Sequence, residues 1–528
     1  MLLGAGLTAC QFSPPPNIDS IDAAVDAPGQ VQLTINVTHT DGSAGTVTVE
    51  PGGGTCSSES CNVFVEEGAT VTVSATGATA RDGVVAVSGD CGTLPCAVSA
   101  TGPRTVNVEF RRFACGQPSS QRCDLGQLTQ CDADGDFVTY DVPNGAPDGS
   151  PITLTMDGYQ CPLGCFSDGT RCNDVDASNG LNAAMDSASV GPTGLDLVLP
   201  RTGNGLVGTA RLDTNQFDAT TGTVRIRDTD GQDLVVPAVV VTQAGGAPEL
   251  LALQVRTLTV RPGTTLRIVG ERSMAIVSNF DVYVGGVVDA GADLDFAGPG
   301  ARAVDPACSG KLGMRGSGGG AGAGAFSDGG DGSDSTDTHG VSIGSFSHPL
   351  RGGCDGYYFG FGGGAIQVVS RRRVAIGAGG AIDVSGGGGI CWSLDVAFPC
   401  TPSGGGGAGM VVIETPSLQV AAGAVVAGLG GSGAARNTSM PTIGVVGNDG
   451  GRFTNSSAVA VTCPGCGVSG AGATSTTVAG HATFVAPNGY AGGGGGCGGL
   501  ELSVADGLVP PASALNIKVN GRPTLGRR

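Results

Sequence analysis

Valine, isoleucine, leucine and threonine alternate with polar residues through much of the chain. Residues 31–40, VQLTINVTHT, keep a period of two, and so do residues 46–49, TVTV. That period sends one side chain to a core and the next to solvent, as in a half-buried strand. Long runs with apolar residues three and four apart are missing, so long helices are not expected. The pattern predicts an all-β protein.

Further along, a three-strand unit recurs. Residues 276–290 read IVSNFDVYVGGVVDA, residues 368–384 VVSRRRVAIGAGGAIDV, and residues 412–428 VIETPSLQVAAGAVVAG. Each has an apolar strand, a polar turn, an alternating strand, a glycine and a short third strand. Residues 253–268 form an earlier copy and residues 500–508 a degenerate one. A single unit cannot bury its apolar face, whereas stacked units share one core. Residues 190–528 are therefore expected to form a right-handed parallel β-helix-like solenoid, with Val282, Val374 and Leu418 in one apolar ladder. Gly-rich insertions at 292–364, 386–408, 428–455 and 463–499 interrupt it. Loops of that length are uncommon. Two arrangements are open to them: packing on each other as polyproline-II strands, which glycine permits by close backbone approach, or remaining mobile.

Composition restricts the partners. Glycine supplies 96 of 528 residues, more than twice the usual share. There is no strict Gly-X-Y period, which excludes collagen. A net charge of −19 argues against nucleic acid and anionic lipid as partners. It is compatible with divalent cations. No later stretch reaches the roughly 18 apolar residues needed to span a bilayer.

The N-terminus ends a short apolar run with Leu7-Thr8-Ala9-Cys10. This resembles the lipobox of bacterial lipoprotein precursors. The resemblance implies that residues 1–10 are a signal peptide and that Cys10 becomes the lipidated mature N-terminus, anchoring the chain to a membrane. Gln11 rather than Asp follows the cysteine, which implies passage to the outer membrane or cell surface. Residues 1–9 carry no charge, unlike most export signals, so a translation start further upstream is expected. Residues 11–30 are polar, Pro- and Asp-containing and without apolar period, as in a disordered tether.

Residues 31–112 follow as a β module. Pro51-Gly52-Gly53-Gly54, the pair Cys56 and Cys61, Gly68-Ala69-Thr70-Val71, Gly89-Asp90-Cys91 with Cys96, and the closing strand from Thr105 to Phe110 are similar to the divergent internalin-type B-repeat of bacterial surface proteins. One departure is that Val85 to Val87 stand where that family often has a Trp. Residues 113–180 are rich in cysteine, with Cys115, Cys123, Cys131, Cys161, Cys165 and Cys172 and little apolar content. Disulfides are expected to hold this segment together, with fifteen connectivities open. The element from Cys161 to Cys165 with Arg171-Cys172 resembles one found in surface lipoproteins of myxobacteria-like organisms.

An exported chain with 18 cysteines points to disulfides first. Local pairs are expected between Cys56 and Cys61 and between Cys91 and Cys96. Cys308 with Cys354 and Cys391 with Cys400 would staple two insertions. Without Cys10 the count is odd, so among Cys463, Cys466 and Cys497 one thiol is left over.

Candidate chemistry is sparse. Asp289 and Asp383 occupy matching repeat positions. On adjacent rungs their carboxylates would lie about 5 Å apart, as in a retaining glycosidase or a cation site. The plainer reading is that each bonds the backbone of a strand-ending turn, and the third repeat has Ala427 there. Asp328, Asp331 and Asp334, with Asp337, His339 and His348 nearby, would offer oxygen ligands to calcium. A solvated acidic loop is the favoured reading, and no other cofactor is indicated. Asp132, Asp134 and Asp136 alternate as in a calcium loop, but Phe137 and Pro143 stand where an EF-hand needs Gly and Glu, so an acidic turn is expected. Cys463-Pro464-Gly465-Cys466 has redox spacing without the surrounding βαβ pattern. Arg371, Arg372 and Arg373 are expected at a solvated corner between strands.

These features together predict a lipid-anchored cell-surface structural or adhesive protein. It would bind polysaccharide, matrix or another cell without catalysis. The alternative is a β-helix polysaccharide lyase or glycoside hydrolase, which would need acidic residues clustered with Arg or Lys on one face.

Overall fold

The computed structural model describes residues 29–79, 81–200, 208–293, 295–301, 308, 320–333, 339–343, 347–356, 360–392, 401–437, 444–450, 458, 460–461, 468–473, 477, 479, 482, 489–491, 493–505 and 515–521. They are nearly all β, as the alternation predicts. Contacts divide the chain into two units. The first is Met1–Ser120 with Cys131–Phe137, and the second is Gln121–Gln130 with Val138–Arg528. The segment 113–180 is thus shared between them.

In the first unit, strand Gln30–Thr40 lies between Ser60–Glu66 and Arg104–Arg112, with Asp82–Gly89 at the edge. A second sheet joins Gly54–Cys56, Gly45–Glu50, Thr70–Gly77 and Cys96–Ser99. Leu33, Ile35 and Val37 alternate inward from the first sheet, and Val47, Val49, Val71 and Val73 from the second. They share one core with Val106, Val108 and Phe110. Disulfides join Cys56 to Cys61 and Cys91 to Cys96 across turns, and Cys115 to Cys131. The acidic run is a tight turn: Asp132 Oδ1 accepts the backbone N–H groups of Asp134 and Asp136, both at 2.9 Å.

In the second unit, the repeats at 253, 276, 368 and 412 each contribute one strand to each of three parallel ladders. The first ladder stacks Leu250–Val255, Ser273–Ser278, Ala365–Ser370, Met410–Thr415 and Gly499–Val504. The second stacks Asp196–Leu199, Thr257–Val260, Asp281–Val284, Arg373–Ile376 and Ser417–Val420. The third includes Thr264–Val269, Val287–Asp289, Ala381–Asp383 and Val425–Ala427. Like residues lie over like. Val282 pairs with Val374, and Val374 with Leu418. Side chains from all three ladders form one continuous core. Two hairpin strands, Thr223–Arg227 and Asp233–Val241, join the first strand of the third ladder, Gly208–Asp213, to the first strand of the first ladder.

The first ladder is buried on both faces. Its outward residues, among them Ala252, Val277, Val369 and Val412, are covered by Val175, Leu181, Met185 and Val190. Double burial explains why these strands read as nearly continuous apolar runs.

The described parts of the Gly-rich insertions form a hydrogen-bonded lattice. The N–H of Gly405 bonds Gly493 O, Gly406 bonds Gly387 O and Gly407 bonds Cys354 O, at 2.9–3.0 Å. Ala408 then bonds Gly496 O and Gly409 bonds Val384 O. The direction repeats every third residue, as a threefold polyproline-II helix requires. Such a helix has no internal hydrogen bonds, so neighbouring segments satisfy its buried backbone. Of the two arrangements open to the insertions, the packed one is found in these described parts. Cys308 and Cys354 are joined within it.

Candidate functional site

The acidic positions of the repeat fall in one column. Arg267, Asp289, Asp383 and Ala427 are consecutive register partners of the third ladder. Asp289 Oδ1 accepts Gly291 N–H at 3.0 Å and Asp383 Oδ1 accepts Ser385 N–H at 2.9 Å. Each therefore ends its strand in the backbone-bonded turn that Asp side chains favour. Arg267 adds an ion pair to Asp289 at 2.7 Å and one to Asp293 at 3.0 Å. The column is buried.

The arginine corner is the clearest correction. Arg373 is buried and Arg371 and Arg372 are part-buried, so this is no solvated corner. Asp281, fully buried, accepts from Arg372 Nε at 2.7 Å and from Arg373 Nη2 at 2.8 Å. Arg373 Nη2 also donates to Asn144 O and Ala146 O, and Arg372 Nη2 to Gly145 O, at 2.8–2.9 Å. Burial raises the Asp281 carboxyl against the pull of both arginines, and burial lowers Arg373 against the pull of Asp281. Removing one partner would leave an uncompensated buried charge, which explains why the set occurs together. Arg371 pairs with Asp174 at 2.8 Å and with the exposed Asp186 at 3.1 Å. These contacts fasten the disulfide-rich segment to the ladders.

That junction encloses a cleft of about 380 Å³, within the size range of small-ligand sites. Its floor includes the turn residues Asn279, Phe280, Arg371 and Arg372 of two successive repeats. Its walls include Gln121, Gln130, Tyr140, Met156, Tyr159, Arg171 and Cys172. Disulfides Cys123–Cys165 and Cys161–Cys172 brace this wall. The rings of Tyr140 and Phe280 lie 5.2 Å apart, tilted by 49°. Tyr140 donates its hydroxyl to Gln130 Oε1 at 3.3 Å. Burial raises both Tyr140 and Tyr159, so both phenols are protonated hydrogen-bonding groups at neutral pH. A second depression, of about 400 Å³ by the hairpins, is lined by Arg211, Asp213, Gln216, Arg225, Arg227 and Asp233, with no ring.

The cleft was missed in the sequence because its residues come from distant stretches. One signal was present: aromatics are 4% of the chain, and two of its six tyrosines line this cleft.

A polar cluster lies on the outward face of the first ladder. Gln367 Nε2 donates to Glu414 at 2.7 Å, and Ser178 N–H donates to Glu414 at 3.2 Å. His348 Nε2 meets Glu501 at 2.6 Å. Burial raises Glu414. The bond to Glu501 raises His348 above its ordinary 6.5. Burial raises Glu501, but the bonds from His348 and Ser347 and the charge of His348 together outweigh it and leave that carboxyl lowered. A histidine raised on folding contributes stability fully present below its unfolded value and lost as pH rises through the folded one. The second unit is expected to melt at lower temperature as pH rises above about 6.5, and His348→Gln to flatten that dependence. Melting curves across that range check it; an unchanged slope in the variant would remove His348 as the cause.

The acidic loop is only partly described. Asp331 meets His339 Nδ1 at 2.7 Å, and Asp328 accepts Ser342 N–H. Asp334 and Asp337 lie outside the described residues. Among the described residues the only clustered metal-type ligands are Cys123, Cys161 and Cys172, whose sulfurs are in disulfides. Cys391 is disulfide-bonded, while Cys400, Cys463, Cys466 and Cys10 lie outside the described residues; Cys497 is buried. No described helix is long and apolar enough to cross a membrane. The chain matches no family model, no curated protein and no solved structure.

Proposed function

We propose that this chain is an exported surface protein, tethered to the outer membrane or cell surface through a lipid on Cys10. In this reading residues 190–528 are a right-handed parallel β-solenoid that serves as a rigid scaffold. The protein binds a polysaccharide, of matrix or of another cell, and does not transform it. Neither nucleic acid nor a cofactor enters this reading.

The observation that carries the proposal is the cleft. Tyr140, Tyr159 and Phe280 line it together with Asn, Gln and Arg side chains. Apolar ring faces beside fixed polar groups suit a sugar, which presents C–H faces and a rim of hydroxyls. Disulfides in both units suit an oxidising compartment. The lyase or hydrolase alternative has less support, because Asp289 and Asp383 are buried in turn bonds and an ion pair.

The test is retention of polysaccharides on immobilised protein. Wild type is expected to retain at least one surface polysaccharide, and Phe280→Ala to weaken that binding about tenfold, the loss of roughly 1.4 kcal/mol, while still melting cooperatively. Equal binding by Phe280→Ala, or no binding by wild type, would contradict the assignment.

A further inference from the structure

We propose that the cleft selects an anionic saccharide and that Arg171 holds its carboxylate or sulfate. This rests on the saccharide reading above and adds the ligand's charge.

The cleft's arginines are not used alike. Three of them, Arg171, Arg371 and Arg372, line it against two aspartates, Asp174 and Asp186. Arg371 is committed to both aspartates. Arg372 is committed to Asp281 behind the wall. Arg171 differs: among the described residues it has no ion pair and no side-chain hydrogen bond. Its one directed contact is with the Phe166 ring, 4.3 Å from guanidinium carbon to centroid. Asp168 feels its charge, yet Asp168 Oδ1 is turned onto Thr170, accepting from N–H at 2.9 Å and from Oγ1 at 2.6 Å.

The Phe166 ring covers one face of the guanidinium and steadies it, while the five N–H donors lie in the plane and remain available. A planar fork of this kind matches a carboxylate or sulfate with two parallel hydrogen bonds. Because Arg171 is solvent-exposed, it loses little hydration before the ligand arrives.

The net charge of −19 does not oppose this. At physiological ionic strength, charges more than about 8 Å away are largely screened. Local groups therefore decide the sign of the site, and the one uncommitted charge there is positive. Arg171 would contribute discrimination between sugars, while the aromatic pair contributes affinity common to both.

The experiment titrates the whole protein with short oligogalacturonate, with the neutral galactose oligomer of equal length, and with that oligomer sulfated. Wild type is expected to bind an anionic oligomer about tenfold more tightly than the neutral one, the size of one charge-assisted hydrogen bond. Whether the carboxylated or the sulfated form gains shows which anion the fork prefers. Arg171→Gln should erase the preference for the anionic oligomers over the neutral one, and Arg171→Lys should keep part of it. Since Arg171 is exposed, both variants should fold. Equal affinities in wild type, or a preference that survives Arg171→Gln, would overturn the anion assignment. In that case neutral binding that is still weakened by Phe280→Ala would leave the saccharide reading standing. Failure of all three oligomers to bind would overturn both.

Discussion

Val374→Asp is expected to abolish cooperative folding of the second unit at neutral pH. Val374 is fully buried and has Val282 and Leu418 directly below and above it in the second ladder. The new carboxylate would have no partner in that core. An unpaired buried charge costs several kcal/mol unless its pKa rises enough to neutralise it. Total domain stability is only about 5–15 kcal/mol, so the substitution consumes most of it. A carboxyl raised in the folded state is least harmful at low pH. Partial recovery of a melting transition near pH 4, close to the ordinary carboxylate value, is therefore part of the expectation. Calorimetry checks both. A transition within about 1 °C of wild type at neutral pH, which corresponds to roughly 1 kcal/mol in a unit of this size, would mean that position 374 is not in a shared core.

The second large effect is expected in the glycine lattice. A Cβ on Gly405 would lie 2.0 Å from Gly431 O, and one on Gly495 would lie 1.9 Å from Gly406 O. Both obstacles are backbone atoms held by hydrogen bonds on other segments, so no side chain can swing away. Overpacking of this kind costs about 1–3 kcal/mol, and more where the surroundings cannot relax. Gly405→Ala should raise hydrogen exchange throughout residues 401–409 by about tenfold or more, since 1.4 kcal/mol of local opening is a factor of ten. Gly102→Ala is the control, because a Cβ there meets nothing within 4 Å. Exchange in Gly405→Ala no faster than in wild type would show that the segments do not pack as tightly as described.

Much of the fold was legible because it repeats locally. The strands of residues 31–112 follow from strict alternation. The pairing of Val282, Val374 and Leu418, and that of Asp289 with Asp383, follow from equal positions in a repeated unit. What was not legible depends on contacts between distant segments. Arg371 to Arg373 look like a polar turn, and nothing local shows that residues 144–146 and Asp281 will enclose them. The outward residues Gln367, Glu414 and Glu501 are polar positions on strands that a two-faced burial would otherwise make apolar. Their partners Ser178 and His348 belong to the covering segments. The lattice was legible only as a possibility, because low side-chain volume permits both close packing and mobility, and the choice rests on backbone partners such as Gly405 and Gly493. The cleft was illegible for the same reason as the arginine corner on which it is built.

In the function proposed, the protein retains a polysaccharide at the cleft and leaves it intact. The most direct measurement incubates purified protein with a polysaccharide it retains, and follows chain length and new reducing or unsaturated ends over many hours. The expected result is saturable binding, reduced in Phe280→Ala, with chain length unchanged. Turnover that disappears in Asp289→Ala or Asp383→Ala would contradict it, and would make the buried acidic column a catalytic one.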